Sequence, residues 1–272
     1  MALTKVIGNG LGAVTQDGAA TFNESSADVD FRIESNSNAN MFFVDAGNDK
    51  IGINTNAPNR MLGIENGDVQ IHETGSSDPL LQFSVGNTQA SPTQSYSLRI
   101  DNSDSDKFQL INGTSGAVAL SVDTTGAITK PLQPAFLVQP TSAQNDISHG
   151  SNQTIIFNNE RFDQNSDFNS SNYTFTAPVT GKYFLSYSLW VSNIDNQPSY
   201  WETYIITSNR NYLYTIDPRA FDQDAGSFTF NNSLIADMDS GDTAKIQILQ
   251  QNSGTEQSDI QNYSFFSGAL IC

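Results

Sequence analysis

At 272 residues the chain is long enough for two modest domains or one large one, and 12 Lys and Arg against 29 Asp and Glu leave a net charge of −17. A surface that acidic repels phosphate backbones and anionic lipid, so nucleic-acid partners and membrane insertion are not expected, while 17 Phe, 9 Tyr and 2 Trp argue against an acidic disordered chain. No apolar run of about 18 residues offers a spanning helix, and with Cys272 as the sole cysteine no disulfide can form within one chain. The polar positions are mostly Asn, Ser, Thr, Gln and Gly, the apolar ones mostly β-branched and aromatic, which predicts an all-β protein.

The N-terminus, MALTKVIGNGLG, lacks the charged-then-apolar pattern of a signal peptide, so folding in a cytoplasm without conventional secretion is the expectation. Residues 1–25 are Gly- and Ala-rich with loose apolar spacing at Leu3, Val6, Ile7, Leu11 and Val14. They read as an extended arm that attaches to another surface, or as a frayed terminus.

Residues 26–130 read as a short β-rich stem. Val29 to Glu34 alternates, SNSNAN is a polar turn, and Met41 to Val44 and Lys50 to Ile53 are short strands around the Asp45–Asp49 turn. The grammar returns downstream. Leu98-Arg99-Ile100-Asp101 echoes Phe31-Arg32-Ile33-Glu34, and Val122-Asp123 with its Gly126 turn echoes Val44-Asp45 with Gly47, the second copy carrying an insertion. Met61 to Ile71 and Leu80 to Val85 supply further strands. Strands this short and polar cannot bury a core alone and are expected to wrap or stack with other copies. The run from Val44 to Pro58 resembles a pattern of bacteriophage tail-fibre and tailspike shafts, departing from it at Asn54, where those shafts usually carry Gly.

Two prolines within Lys130 to Pro134 stiffen the chain and mark a boundary. From 131 to 272 the strands are longer and more aromatic: Phe136 to Val138, Thr154 to Phe157, Tyr173 to Phe175, Tyr200 to Thr207, Asn211 to Ile216, Ser227 to Ala236, Ala244 to Gln250 and Tyr263 to Leu270, with a polar loop from Phe162 to Asn172. The centre of this region is the strand after Thr180-Gly181. There Tyr183, Leu185, Tyr187 and Leu189 alternate with Phe184, Ser186, Ser188 and Trp190, so both faces carry aromatics and both are expected to be at least partly covered.

Phe157, Asp163, Phe168, Phe175, Gly181, Tyr183, Leu185 and Tyr187 stand at the spacing of the complement C1q / tumour necrosis factor signature, with Leu185 where that family usually has Phe. Phe266-Ser267-Gly268 is similar to the family's last strand, with Ala269 replacing an aromatic. The resemblance implies a ten-stranded jelly roll that assembles as a homotrimer. The physical reading agrees, because Phe184 and Trp190 add apolar surface that one small sandwich cannot cover. Three copies would triple the charge of −17, and divalent or sodium ions would then help hold them together.

Other chemistry is sparse. His72 and His149 have no third ligand at metal spacing. Asp237, Asp239 and Asp242 are a candidate calcium cluster, though their Ser-Gly-Asp composition favours a solvated turn; Asp101, Asp104 and Asp106 are another of the same kind. Tyr200, Trp201, Tyr212 and Tyr214 are candidate sugar-stacking aromatics at an exposed tip, or core and trimer contacts. No enzyme is expected, although paired carboxylates need only meet in space. The expected function is a bacteriophage virion structural protein: a trimeric fibre or decoration protein for adhesion. Its arm would meet other virion proteins, and its head a host surface glycan or protein. The alternatives are a trimeric capsid cement protein and a bacterial surface carbohydrate-binding protein of the same head fold.

Overall fold

The computed structural model describes residues 26–86, 91–251 and 258–272; the expected attachment arm lies outside them. The chain divides into two compact units, Met1–His72 and Glu73–Cys272. The described residues form an all-β protein with no α-helix.

In the first unit β1 (Phe31–Ile33), β2 (Phe42–Asp45) and β3 (Lys50–Ile53) form an antiparallel meander, and β4 (Leu62–Ile64) joins β3 in parallel. The strand expected over residues 61–71 is thus only three residues long. Beyond Ile64 the chain has the Asn-Gly-Asp run that favours turns over strands. Asn54 has φ +63°, the left-handed region where the shaft pattern places Gly. Asn tolerates that conformation, and here its amide also donates to Glu65 O at 2.6 Å while its carbonyl accepts from Asn38 Nδ2.

In the second unit β5 (Leu80–Val85), β6 (Gln94–Asp101), β7 (Lys107–Asn112), β8 (Val118–Val122) and β9 (Ile128–Thr129) form an antiparallel meander. Its register puts Leu81, Phe83, Leu98, Ile100, Phe108, Leu110, Leu120, Val122 and Ile128 on one face. The opposite face holds Ser95, Ser97, Arg99, Gln109 and Ser121, of which all but Arg99 are buried. The expected repeat recurs as local chemistry only. Arg32 pairs with Glu34 (2.8 Å) and Arg99 with Asp101 (2.6 Å), partners two apart on one strand face. Asp45 accepts from Asn48 N (3.1 Å) and Asp123 from Thr125 N (2.8 Å), closing the two Val-Asp turns alike. The insertion in the second copy is a whole strand, β7. The Val-Asp strand is therefore antiparallel to its Arg-Ile strand in the first copy and separated from it by one strand in the second.

The rest of the second unit is a jelly-roll sandwich. Its strands are β10 (Ala135–Gln139), β11 (Gln153–Thr154), β12 (Asn159–Gln164), β13 (Phe168–Asn169), β14 (Thr174–Thr176), β15 (Gly181–Ile194), β16 (Tyr200–Thr207), β17 (Asn211–Ile216), β18 (Ala225–Met238), β19 (Thr243–Gln251), β20 (Asp259–Ile260) and β21 (Phe265–Leu270). One sheet runs β12-β10-β21-β15-β18 with β20 beside β15. The other runs β13-β14-β19-β16-β17 with β11 beside β19. The region expected as a loop over 162–172 instead contributes to β12 and β13. Asp163 stabilises the link between them, its two carboxylate oxygens accepting from Asp167 N and Phe168 N. Conversely, of the expected 154–157 strand only Thr154 keeps strand geometry, together with Gln153 in β11, while Ile155 and Phe157 are buried in the sandwich core outside any strand. Between the sheets lie Phe136, Phe157, Phe168, Phe175, Trp201, Phe230 and Phe266 together with the inward side of β15. Phe136 stacks on Phe175 (4.7 Å) and meets Phe266 edge-on (4.9 Å).

Candidate functional site

Strand β15 carries the two surfaces that matter, because alternation sends successive side chains to opposite faces. Tyr183, Leu185, Tyr187 and Leu189 point between the sheets and are fully buried. The two tyrosines keep their hydroxyls satisfied: Tyr183 OH donates to Val179 O (2.7 Å), and Tyr187 OH pairs with Thr203 Oγ1 (2.5 Å). Burial pushes the Tyr187 phenol up to about 12, against the opposing effect of the Thr203 contact, so it stays protonated.

The other face of β15 is only partly covered in the protomer. Phe184 is 42% exposed and Trp190 39%. Register places Ile235 of β18 opposite Phe184, and Ala269 of β21 on its other side; Ile235 is 61% exposed. At the far end Trp190 stacks on Tyr263 (5.9 Å between centroids), itself 72% exposed. Between these apolar ends lie Ser186, Ser188, Ser267, Ser233 and Asn231, all uncharged. The first charges on β15 and β18 are Lys182 and its opposite number Asp237, beyond Phe184 and Ile235. In a chain of net charge −17 this leaves an uncharged face across three strands, and depletion of charge is a feature of the cores of protein interfaces.

The sequence-expected residues therefore divide. Phe157, Phe168, Phe175, Tyr183, Leu185, Tyr187, Phe266 and Gly268 belong to the sandwich core, and Gly181 starts β15 against the end of the chain. Phe184 and Trp190 belong to the outer face, which one protomer covers only in part. Tyr200 and Tyr214 are exposed and Tyr212 is half-buried. Trp201 is not a ligand-facing residue. It points inward from β16 with Thr203, Ile205 and Thr207, and stacks on Phe230 at 6.1 Å. Among the outward residues of that strand is Tyr204, whose hydroxyl donates to Glu202 (2.6 Å). Burial, reinforced by Glu202, holds its phenol at about 12.

The acidic triplet does not converge on a common point. Both Asp237 oxygens accept from Arg210 Nη2 (3.0 and 2.9 Å), whereas Asp242 accepts from Ser208 Oγ, Asn209 Nδ2 and Asp239 N. Asp101 is likewise occupied by Arg99 and Ser103, and the Ser103 hydroxyl chiefly holds its carboxyl below the ordinary carboxylate range. Among the described residues no group of three or more His, Cys, Asp or Glu could hold a metal ion.

Ile235 and Tyr263 are interface candidates that the sequence reading did not single out. In NNSLIADM the neighbours Leu234 and Ile235 are both apolar, and only pairing with β15 decides which one faces out.

The C1q domain family profile matches residues 135–271. No curated protein matches the sequence. Among solved structures, the globular domain of zebrafish complement 1qA protein is similar at 20% identity with a TM-score of 0.41, the alignment covering 52% of this chain and 98% of that one. Murine APRIL at pH 8.0 is similar at 8% identity with a TM-score of 0.39, covering 51% of this chain and 99% of that one.

Proposed function

Since the chain belongs to the C1q domain family, whose members typically form homotrimers and are generally non-enzymatic, we propose that it is a homotrimeric binding protein and not an enzyme. The head would comprise residues 131–272, which contain the matched 135–271, and residues 26–130 would form a stem before it. The observation that carries the reading is the uncharged face of β15, β18 and β21, with Phe184, Ile235, Trp190 and Tyr263 exposed at its ends. Packing this face on its copies removes apolar surface from water and leaves the acidic side chains outside, where charge favours solubility. Light scattering of the full chain tests it. A mass near three times the 29.6 kDa protomer is expected, and the protomer mass alone overturns the reading.

The head is proposed to serve adhesion, to a glycan or protein of a host surface, as a fibre or decoration of a virion. The Val44 to Pro58 segment supports the virion assignment through its resemblance to phage shafts, and the left-handed Asn54 is compatible with that pattern. Immunogold labelling of purified particles checks it. A few copies at a tail indicate a fibre and label over the whole shell indicates a cement protein, whereas unlabelled particles overturn the virion assignment.

A further inference from the structure

The sheet of β5–β9 is built inside out for a lone chain. Over β6–β8 its buried face is polar: Ser97, Gln109 and Ser121 lie there beneath Arg99, which bonds Asp78 (2.9 Å), Asp101 (2.6 Å) and Gln109 (2.8 Å), whereas Gln82 of the same face, on the edge strand β5, is exposed. Its apolar face is the open one. Phe83 is 60% exposed, Ile128 62%, and Leu81, Tyr96 and Phe108 are also exposed. Cross-strand pairing makes these one continuous surface: Phe83 opposes Tyr96, Leu81 opposes Leu98, and Phe108 opposes Val122, which opposes Ile128. Single exposed apolar residues are ordinary, but a face of them drawn from β5, β6, β7 and β9, with Leu120 and Val122 of β8 half-buried between, is not.

We propose that this face is a second intersubunit interface, packed against the same face of two further copies of this chain. Three observations select a copy of the chain as the occupant. The face pairs only apolar and uncharged residues, so it offers nothing to a charged partner, and in a chain of net charge −17 it lets two copies approach without like-charged side chains meeting across it. Only five residues, 130–134, separate β9 from β10 of the head. A head that trimerises therefore holds three such faces at high effective concentration, which turns a weak association into an intramolecular one. The inference rests on the homotrimeric reading of the head.

The test uses the full chain with Cys272→Ser, so that an introduced thiol is unique, and a charged water-soluble maleimide as probe. Phe83→Cys and Ile128→Cys report on the apolar face, and Gln82→Cys on the opposite side of β5. Each variant is weighed by light scattering before labelling. In the trimer, labelling of Gln82→Cys is expected to be at least about tenfold faster than that of Phe83→Cys or Ile128→Cys, with all three equal in denaturant. A trimer in which either apolar-face cysteine reacts as fast as Gln82→Cys overturns this interface and leaves the head trimer standing. A protomer mass for the unsubstituted chain overturns the reading on which it rests.

Discussion

Asp163 holds the β12–β13 link by accepting two backbone N–H groups, yet it does so beside Asp167, one of whose carboxylate oxygens is buried without a partner. Both carboxyls are pushed above the ordinary value of 3.8. For Asp163 burial is the main cause, opposed by its backbone bonds and reinforced by Glu160; for Asp167 it is burial and then Asp163. A carboxyl with a raised folded-state pKa keeps its proton where the unfolded chain has released it, so its contribution to stability falls as pH rises from 3.8 to the raised value. Above that window the folded state bears the full cost of the desolvated charge. Asp167→Asn removes the charge and keeps the shape. It is expected to raise Tm at pH 7 by about 2 °C, with the gain absent below about pH 3.8, as read by thermal unfolding across pH.

At the scale of the element, β15 organises the head because one strand supplies the centre of a core and the centre of an outer face. Its inward side chains interlock with β21 so closely that Gly268 has no room for a side chain. A Cβ there would lie 2.7 Å from Phe136 Cε1 and 2.8 Å from Leu185 Cδ2. Gly268→Ala is expected to cost about 1–3 kcal/mol, the range of an overpacked core, seen as a lower urea midpoint at unchanged slope. This much was legible beforehand, since the spacing of Phe157 to Tyr187 and the Phe266-Ser267-Gly268 run named the core residues. The strand at Asn159–Gln164 was not, because a polar stretch rich in Asn, Asp and Ser reads as loop until two side-chain-to-backbone bonds from Asp163 are seen to link it to the next strand.

For the whole molecule the governing quantity is where 29 acidic residues are absent. On both sheets described above, the residues facing out without charge are the ones a lone chain leaves wet. Ile235→Lys is expected to shift the full chain from trimer to protomer mass by light scattering. It should leave the protomer's circular dichroism unchanged, since Ile235 is 61% exposed and contributes nothing to the sandwich core. A variant that stays trimeric would place the assembly surface elsewhere on the head.

By itself the sequence determined an all-β chain, a C1q-type head and strands whose neighbours take opposite faces, because period two, turn chemistry and the signature spacing are local properties. Only the tertiary structure decided which face is inside. It turned Trp201 inward and Tyr204 outward, gave Asp237 to Arg210, and buried serines of the β5–β9 sheet while leaving its phenylalanines open. The reason is that alternation defines two faces but not their environments. Those are set by pairings and cover from residues far along the chain, and on this reading partly from other copies of it.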